Sequence, residues 1–204
     1  MRGVSHRVAF LVSLPVGVAL VWSGANTHER VSAAVFAAAL SFMFGASALV
    51  HLRPWTVERY QRLMQLDMSA IFCCVAGTAS AVAWLALQGA SRWALAIGVW
   101  AITAAGIVFV WMPRHPRPGV MNALYLTVGW YPMLFCVPLW RSLGPGGFAL
   151  LVAGGLGYTV GAVIVGAQRP DPWPAVFGYH EIFHLFVIAS AALHYSLVAF
   201  DLMA

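Results

Sequence analysis

The chain has 204 residues, of which 62% are hydrophobic and only 8% are charged, and this composition excludes an ordinary soluble domain. Its formal net charge of +5 comes from arginine alone, because the sequence contains no lysine. The arginines lie between apolar runs, and no basic face is interleaved with aromatic residues, so we expect no nucleic-acid partner. Composition therefore predicts an integral membrane protein that contacts membrane lipids and has a lipid as its substrate or ligand.

Seven apolar runs follow one another along the chain, separated by short segments rich in arginine, proline and glycine. Each run is close to the length needed to cross about 30 Å of hydrocarbon as a helix. No connecting segment is long enough to fold by itself, so the sequence predicts one all-α domain, residues 1–204, built as a seven-transmembrane helix bundle. The predicted spans are 8–23, 31–51, 66–87, 93–112, 120–140, 147–167 and 179–200.

The arginines are distributed unequally between the two sides of this predicted bundle. Eight of them precede the first span or lie in the second, fourth and sixth loops, and three lie in the other loops. Cytoplasmic loops carry the excess of positive charge in membrane proteins. The distribution therefore predicts a cytoplasmic N-terminus and a C-terminus on the opposite side of the membrane.

The last predicted span opens with polar residues in the sequence GYHEIFH. His180 and His184 are four residues apart, so both rings lie on one face of a helix and can reach a single metal ion. An imidazole within a membrane span is unfavourable unless it is paired, ligated or hydrated. Hydrogen bonds to neighbouring helices or to interfacial water explain these two residues equally well when they are considered alone.

Because successive spans cross the membrane in opposite directions, the sequence predicts which polar residues lie at the same depth in the membrane. The second span ends on the side where the third and the seventh begin, which brings Ser47, His51, Asp67, His180 and His184 to the cytoplasmic third of the bundle. Three neutral imidazoles with one open position form a common catalytic zinc site. A carboxylate such as that of Asp67 can accept a proton from the water that such a site activates.

Simpler explanations exist for several of these residues. His51 is at a helix end, where a ring can sit in the membrane interface, and Asp67 can form an ion pair with Arg59 or Arg62. Glu181 completes the letters HExxH, but it points about 100° away from the histidine face of a helix. We therefore do not expect Glu181 to act as the general base of a zinc protease.

Three segments, SALVH, LDMSAIF and GYHEIFHLFV with the later LHY, together resemble the progestin and adipoQ receptor (PAQR) superfamily, most closely its bacterial haemolysin III branch. The resemblance covers nearly the whole chain and implies seven spans in a bacterial plasma (inner) membrane. It also implies one zinc per chain held by His51, His180 and His184. Asp67 and Ser47 then lie close to the zinc and take part in catalysis.

The resemblance suggests several functions of different classes. Eukaryotic relatives are associated with ceramidase-like hydrolysis, so the leading hypothesis is a zinc-dependent hydrolase of lipid amide or ester bonds. The alternatives are a membrane sensor or receptor in which zinc is structural, and a cytolytic, pore-forming haemolysin. An intramembrane metalloprotease built on HEIFH ranks last, because no later span supplies a further aspartate motif.

Overall fold

A computed structural model describes residues 3–113, 118–174 and 176–203 of the chain. The secondary structure of these residues is helical, with no strand beyond one isolated bridge between Trp173 and Phe177. A 3-10 turn at Tyr131–Phe135 joins α5 to α6, and a π-helical turn at Leu197–Leu202 follows α7. The helices are α1 Val4–Ser23, α2 Thr27–Val50, α3 Val57–Ala86, α4 Gly89–Val110, α5 Pro118–Trp130, α6 Cys136–Ala167 and α7 Tyr179–Ser196.

Six helical segments in the described part of the chain are long and apolar enough to cross a membrane. The fifth and sixth predicted spans, 120–140 and 147–167, both fall within one of these segments, the 49-residue stretch Gly119–Ala167. This stretch is interrupted at Gly144, whose φ of 64° and ψ of −176° are not helical. A positive φ at this position suits glycine, and the following Pro145 cannot donate the next helical hydrogen bond.

Two hydrogen bonds describe how the halves of this long stretch meet. The Asn122 side-chain amide donates to the carbonyl of Ala162 over 3.3 Å, and the Trp130 indole donates to the hydroxyl of Thr159 over 3.0 Å. The residue farther before Gly144, Asn122, thus pairs with the residue farther after it, Ala162. α5 therefore lies antiparallel to the second half of α6.

Helix α3 is the centre of the bundle, because it contributes to both apolar cores. One core contains Phe72 of α3 with Leu95 of α4 and side chains of α5 and α6. The other contains Ala70 of α3 with Phe36 of α2 and Val187 of α7. Large apolar side chains also cover the outside of the bundle, with Trp22 83% exposed. An all-helical bundle with an apolar outer surface is an integral membrane protein in contact with lipid.

Close contact between α2 and α3 depends on Gly77, where an added Cβ would collide with the Cβ of Ala39. Small residues at such crossings let two membrane helices pack closely. We expect Gly77→Ala to lower the free energy of unfolding by about 1–3 kcal/mol, because the helices must separate to admit the methyl group. Thermal unfolding in detergent measures the effect. Gly129→Ala in α5 is the matched control, since no atom lies within 4 Å of its added Cβ, and equal melting temperatures for the two variants would contradict the prediction.

Candidate metal centre

Three histidines from the ends of two helices converge at one end of the bundle. His51 directly follows α2, whereas His180 and His184 lie in the first two turns of α7. One ring nitrogen of each lies within 4.8 Å of the other two. Nε2 of His51 lies 3.3 Å from Nε2 of His180. The sequence-based prediction that these three residues meet is therefore consistent with the geometry.

Hydrogen bonds at the start of α7 fix the position of its histidines. The Glu181 carboxylate accepts a hydrogen bond from the backbone N–H of Gly178 at 2.9 Å, and the Asp171 carboxylate accepts one from the N–H of Tyr179 at 3.2 Å. Both acids satisfy N–H groups that a helix start leaves without intrahelical partners. Glu181 therefore acts as a helix cap here.

The three histidine nitrogens could together hold a metal ion. A tetrahedral zinc with Zn–N bonds of about 2.0–2.1 Å separates its ligand nitrogens by about 3.3–3.4 Å, and the Nε2 atoms of His51 and His180 are 3.3 Å apart. His184 is only 2% exposed, and its Nδ1 atom has no hydrogen-bond partner among the described residues. A buried nitrogen of this kind needs either a metal or an ordered water.

Ser47 lies beside this cluster and contacts a residue that the sequence analysis did not identify, His6 of α1. The Nδ1 atom of His6 is 2.7 Å from the Ser47 hydroxyl, and both side chains are only 3% exposed. The ring of His6 also stacks on that of His184, with 3.7 Å between centroids and 15° between planes. The predicted first span began at residue 8, so His6 was counted in the flank, although α1 begins at Val4.

Asp67 is half-buried near the start of α3 and is not part of the histidine cluster. The residue after it, Met68, accepts a hydrogen bond of 3.1 Å through its backbone carbonyl from the Tyr125 hydroxyl of α5. Within the described part of the chain, Asp67 makes no ion pair with Arg59 or Arg62. Its catalytic role stays a prediction.

Comparison with known proteins agrees with this membrane architecture. The model of the haemolysin-III related family matches residues 1–195, nearly the whole chain. The chain therefore belongs to the haemolysin-III related family, and the resemblance inferred from its histidine, serine and aspartate motifs is confirmed.

Relatives occur in both bacteria and animals. The chain is 28% identical to the hemolysin-3 homolog of Bacillus subtilis, over 98% of this chain and 92% of that protein. It is also 28% identical to hemolysin-3 of Bacillus cereus, over 98% of this chain and 89% of the relative. The human monocyte to macrophage differentiation factor, a PAQR-family protein, shares 28% identity over 82% of this chain and 68% of its own length. No solved structure matches the chain.

Proposed function

We propose that this protein is a membrane-embedded hydrolase of lipid amide or ester bonds that depends on one zinc ion held by His51, His180 and His184. The observation that carries the proposal is the convergence of three imidazole nitrogens within 4.8 Å at one end of an apolar bundle. Three protein ligands leave the fourth tetrahedral position open, as in catalytic rather than structural zinc sites.

The proposed topology is one domain with seven crossings, a cytoplasmic N-terminus and an external C-terminus. The seventh crossing comes from dividing the 49-residue stretch at Gly144, and the hydrogen bonds from Asn122 and Trp130 to the returning half support that division. The excess of arginine in alternate loops supports the orientation. The site then faces the cytoplasmic side of the bacterial plasma (inner) membrane.

The protein's own residues have distinct tasks in this proposal. Zinc supplies a Lewis acid that polarises a carbonyl and activates water at neutral pH. His51 and His180 are half-buried, which leaves one side of the cluster accessible to a substrate. The buried Ser47 hydroxyl, one helical turn before His51, offers a hydrogen bond beside the reacting carbonyl. Asp67 accepts the proton of the attacking water and returns it to the leaving amine or alcohol.

A lipid substrate suits the surroundings of this site. The helices that carry the histidines present large apolar side chains outward, including Val31, Phe42 and Leu185. Acyl chains can therefore lie against the bundle while the polar amide or ester reaches the histidines at its end. The ceramidase-like hydrolysis associated with eukaryotic PAQR relatives supports the same substrate class.

The test combines metal analysis with a hydrolysis assay on detergent-purified protein. Mass spectrometry should find about one zinc per chain, and the purified protein should release fatty acid from a panel of ceramides, N-acyl amines and glycerolipid esters. A strong chelator should abolish the release, and added zinc should restore it. A folded protein isolated without chelator and containing no metal would overturn the proposal.

Measurements on the same purified protein distinguish hydrolysis from two other functions. If zinc only holds the helices together, as in a sensor or receptor, chelation lowers the melting temperature while no member of the panel is ever hydrolysed. The names of the Bacillus relatives suggest cytolysis instead. Lysis of erythrocytes by purified protein that persists in a His180→Ala/His184→Ala variant would favour that function over hydrolysis.

A further inference from the structure

The first turns of α1 lie directly against the histidine cluster. Gly3, at the start of α1, packs so closely on His51 that an added Cβ would collide with the Cβ of that residue. One turn later, His6 contacts Ser47 and His184. The beginning of α1 therefore meets residues of both helices that form the cluster.

The hydrogen bond between His6 and Ser47 constrains the serine hydroxyl. A helix serine commonly bonds back to a carbonyl of its own helix, as Ser32 does with His28 in the same α2. The hydroxyl of Ser47 instead lies 2.7 Å from His6 Nδ1 across the helix interface. This contact selects one rotamer of Ser47 on the face of α2 that also carries His51.

The ring of His6 is held between two aromatic neighbours. It stacks on His184 and meets the edge of Phe44 at 5.3 Å with an interplanar angle of 69°. The buried Nε2 atom has no hydrogen-bond partner among the described residues. The position of the ring thus depends on Ser47 and on packing.

The stacking also argues against His6 as a fourth ligand of the cluster. An imidazole binds a metal in the plane of its ring, through a nitrogen lone pair. Two nearly parallel rings with centroids 3.7 Å apart direct their lone pairs along parallel planes, not toward one point. His6 can instead restrict the rotation of the His184 ring by covering one of its faces.

We propose that His6 is a positioning residue of the candidate metal centre, which fixes the Ser47 hydroxyl through a hydrogen bond and the His184 ring through stacking. This inference rests on the proposed metal-binding function. Residues that orient metal ligands from outside the coordination sphere typically contribute 10–100-fold to metal affinity. His6 is buried against Ser47 and the candidate metal ligand His184.

The experiment measures metal binding directly, without an activity assay. Zinc affinity is determined by competition with a chelator, and the geometry of the site is read from the visible absorption of the cobalt-substituted protein. We expect His6→Ala to weaken zinc binding by about 10–100-fold and to shift the cobalt bands. His28→Ala is the matched control, because His28 is exposed near the other end of α2 and contacts Trp84; it should leave both readouts unchanged.

A second variant distinguishes the hydrogen bond to Ser47 from the stacking on His184. It also keeps the inference testable if His6→Ala does not fold. His6→Phe retains a flat ring against His184 but loses the hydrogen bond to Ser47. A cobalt shift in both His6 variants assigns the effect to the Ser47 bond, whereas a shift in His6→Ala alone assigns it to the stacked ring. Unchanged affinity and cobalt bands in folded His6→Phe and His6→Ala would overturn the inference while leaving the metal site intact. A wild type that binds neither zinc nor cobalt would overturn both proposals.

Discussion

Replacing His180 and His184 together by alanine is expected to lower the zinc content from about one ion per chain to none. The remaining His51 supplies a single imidazole, and one neutral ligand cannot compete with water and buffer for the ion at nanomolar to micromolar free zinc. Mass spectrometry of the detergent-purified variant, with monodispersity checked by gel filtration, measures the result.

The control for this variant is His28→Ala, which removes an exposed imidazole outside the cluster. It should retain the full zinc content. A double variant that keeps its zinc would show that the metal is bound elsewhere, and the three-histidine site would then have to be abandoned. Equal loss of zinc from the control would indicate non-specific binding to surface histidines.

Asp67→Asn is expected to reduce lipid amide hydrolysis by about 10²–10⁴-fold, the usual contribution of a general acid–base group. Asparagine has nearly the same shape as aspartate but cannot accept the proton from water. The zinc content should stay at one per chain, because Asp67 is outside the cluster of ligand atoms. Initial rates of fatty-acid release, measured with metal content on the same preparation, test both halves of the prediction.

A matched control exists in Asp201→Asn, which neutralises an exposed carboxylate in the turn after α7. Its rate should equal that of the wild type. Hydrolysis that survives in Asp67→Asn would remove Asp67 from the mechanism and point to another proton acceptor near the histidines. Loss of zinc together with activity would instead make Asp67 a support of the metal site.

The helices that the sequence predicted best are those whose ends coincide with changes in hydropathy. The second span was predicted at 31–51 and the helix is Thr27–Val50. The third was predicted from residue 66, yet α3 begins at Val57, and its first turns contain Glu58, Arg59 and Arg62. A helix needs only satisfied backbone hydrogen bonds, supplied at its start by the Thr56 cap, so polar turns extend it beyond the apolar run.

The sequence could predict which site residues share a membrane level, but not the direction in which each side chain points. His51, His180 and His184 come together because alternating spans bring their ends to one level, which a sequence can reveal. Asp67 was expected at the same level, but whether its carboxylate points toward α5 or toward the histidines depends on how α3 rotates when it packs. His6 was overlooked because its turn is too polar for an apolar run, although α1 starts at the level where α2 ends.

The separation of the three histidines along the chain determines when the cluster can form during synthesis. His51 and His180 are 129 residues apart, and a membrane protein inserts its helices from the N-terminus onward. During most of translation, α1 and α2 are therefore in the bilayer before His180 and His184 of α7 have been made. Because α7 carries His180 and His184, a metal bound by all three histidines is acquired only after α7 has joined α2. Metal bound by this cluster would therefore report chains in which α7 has packed against α2.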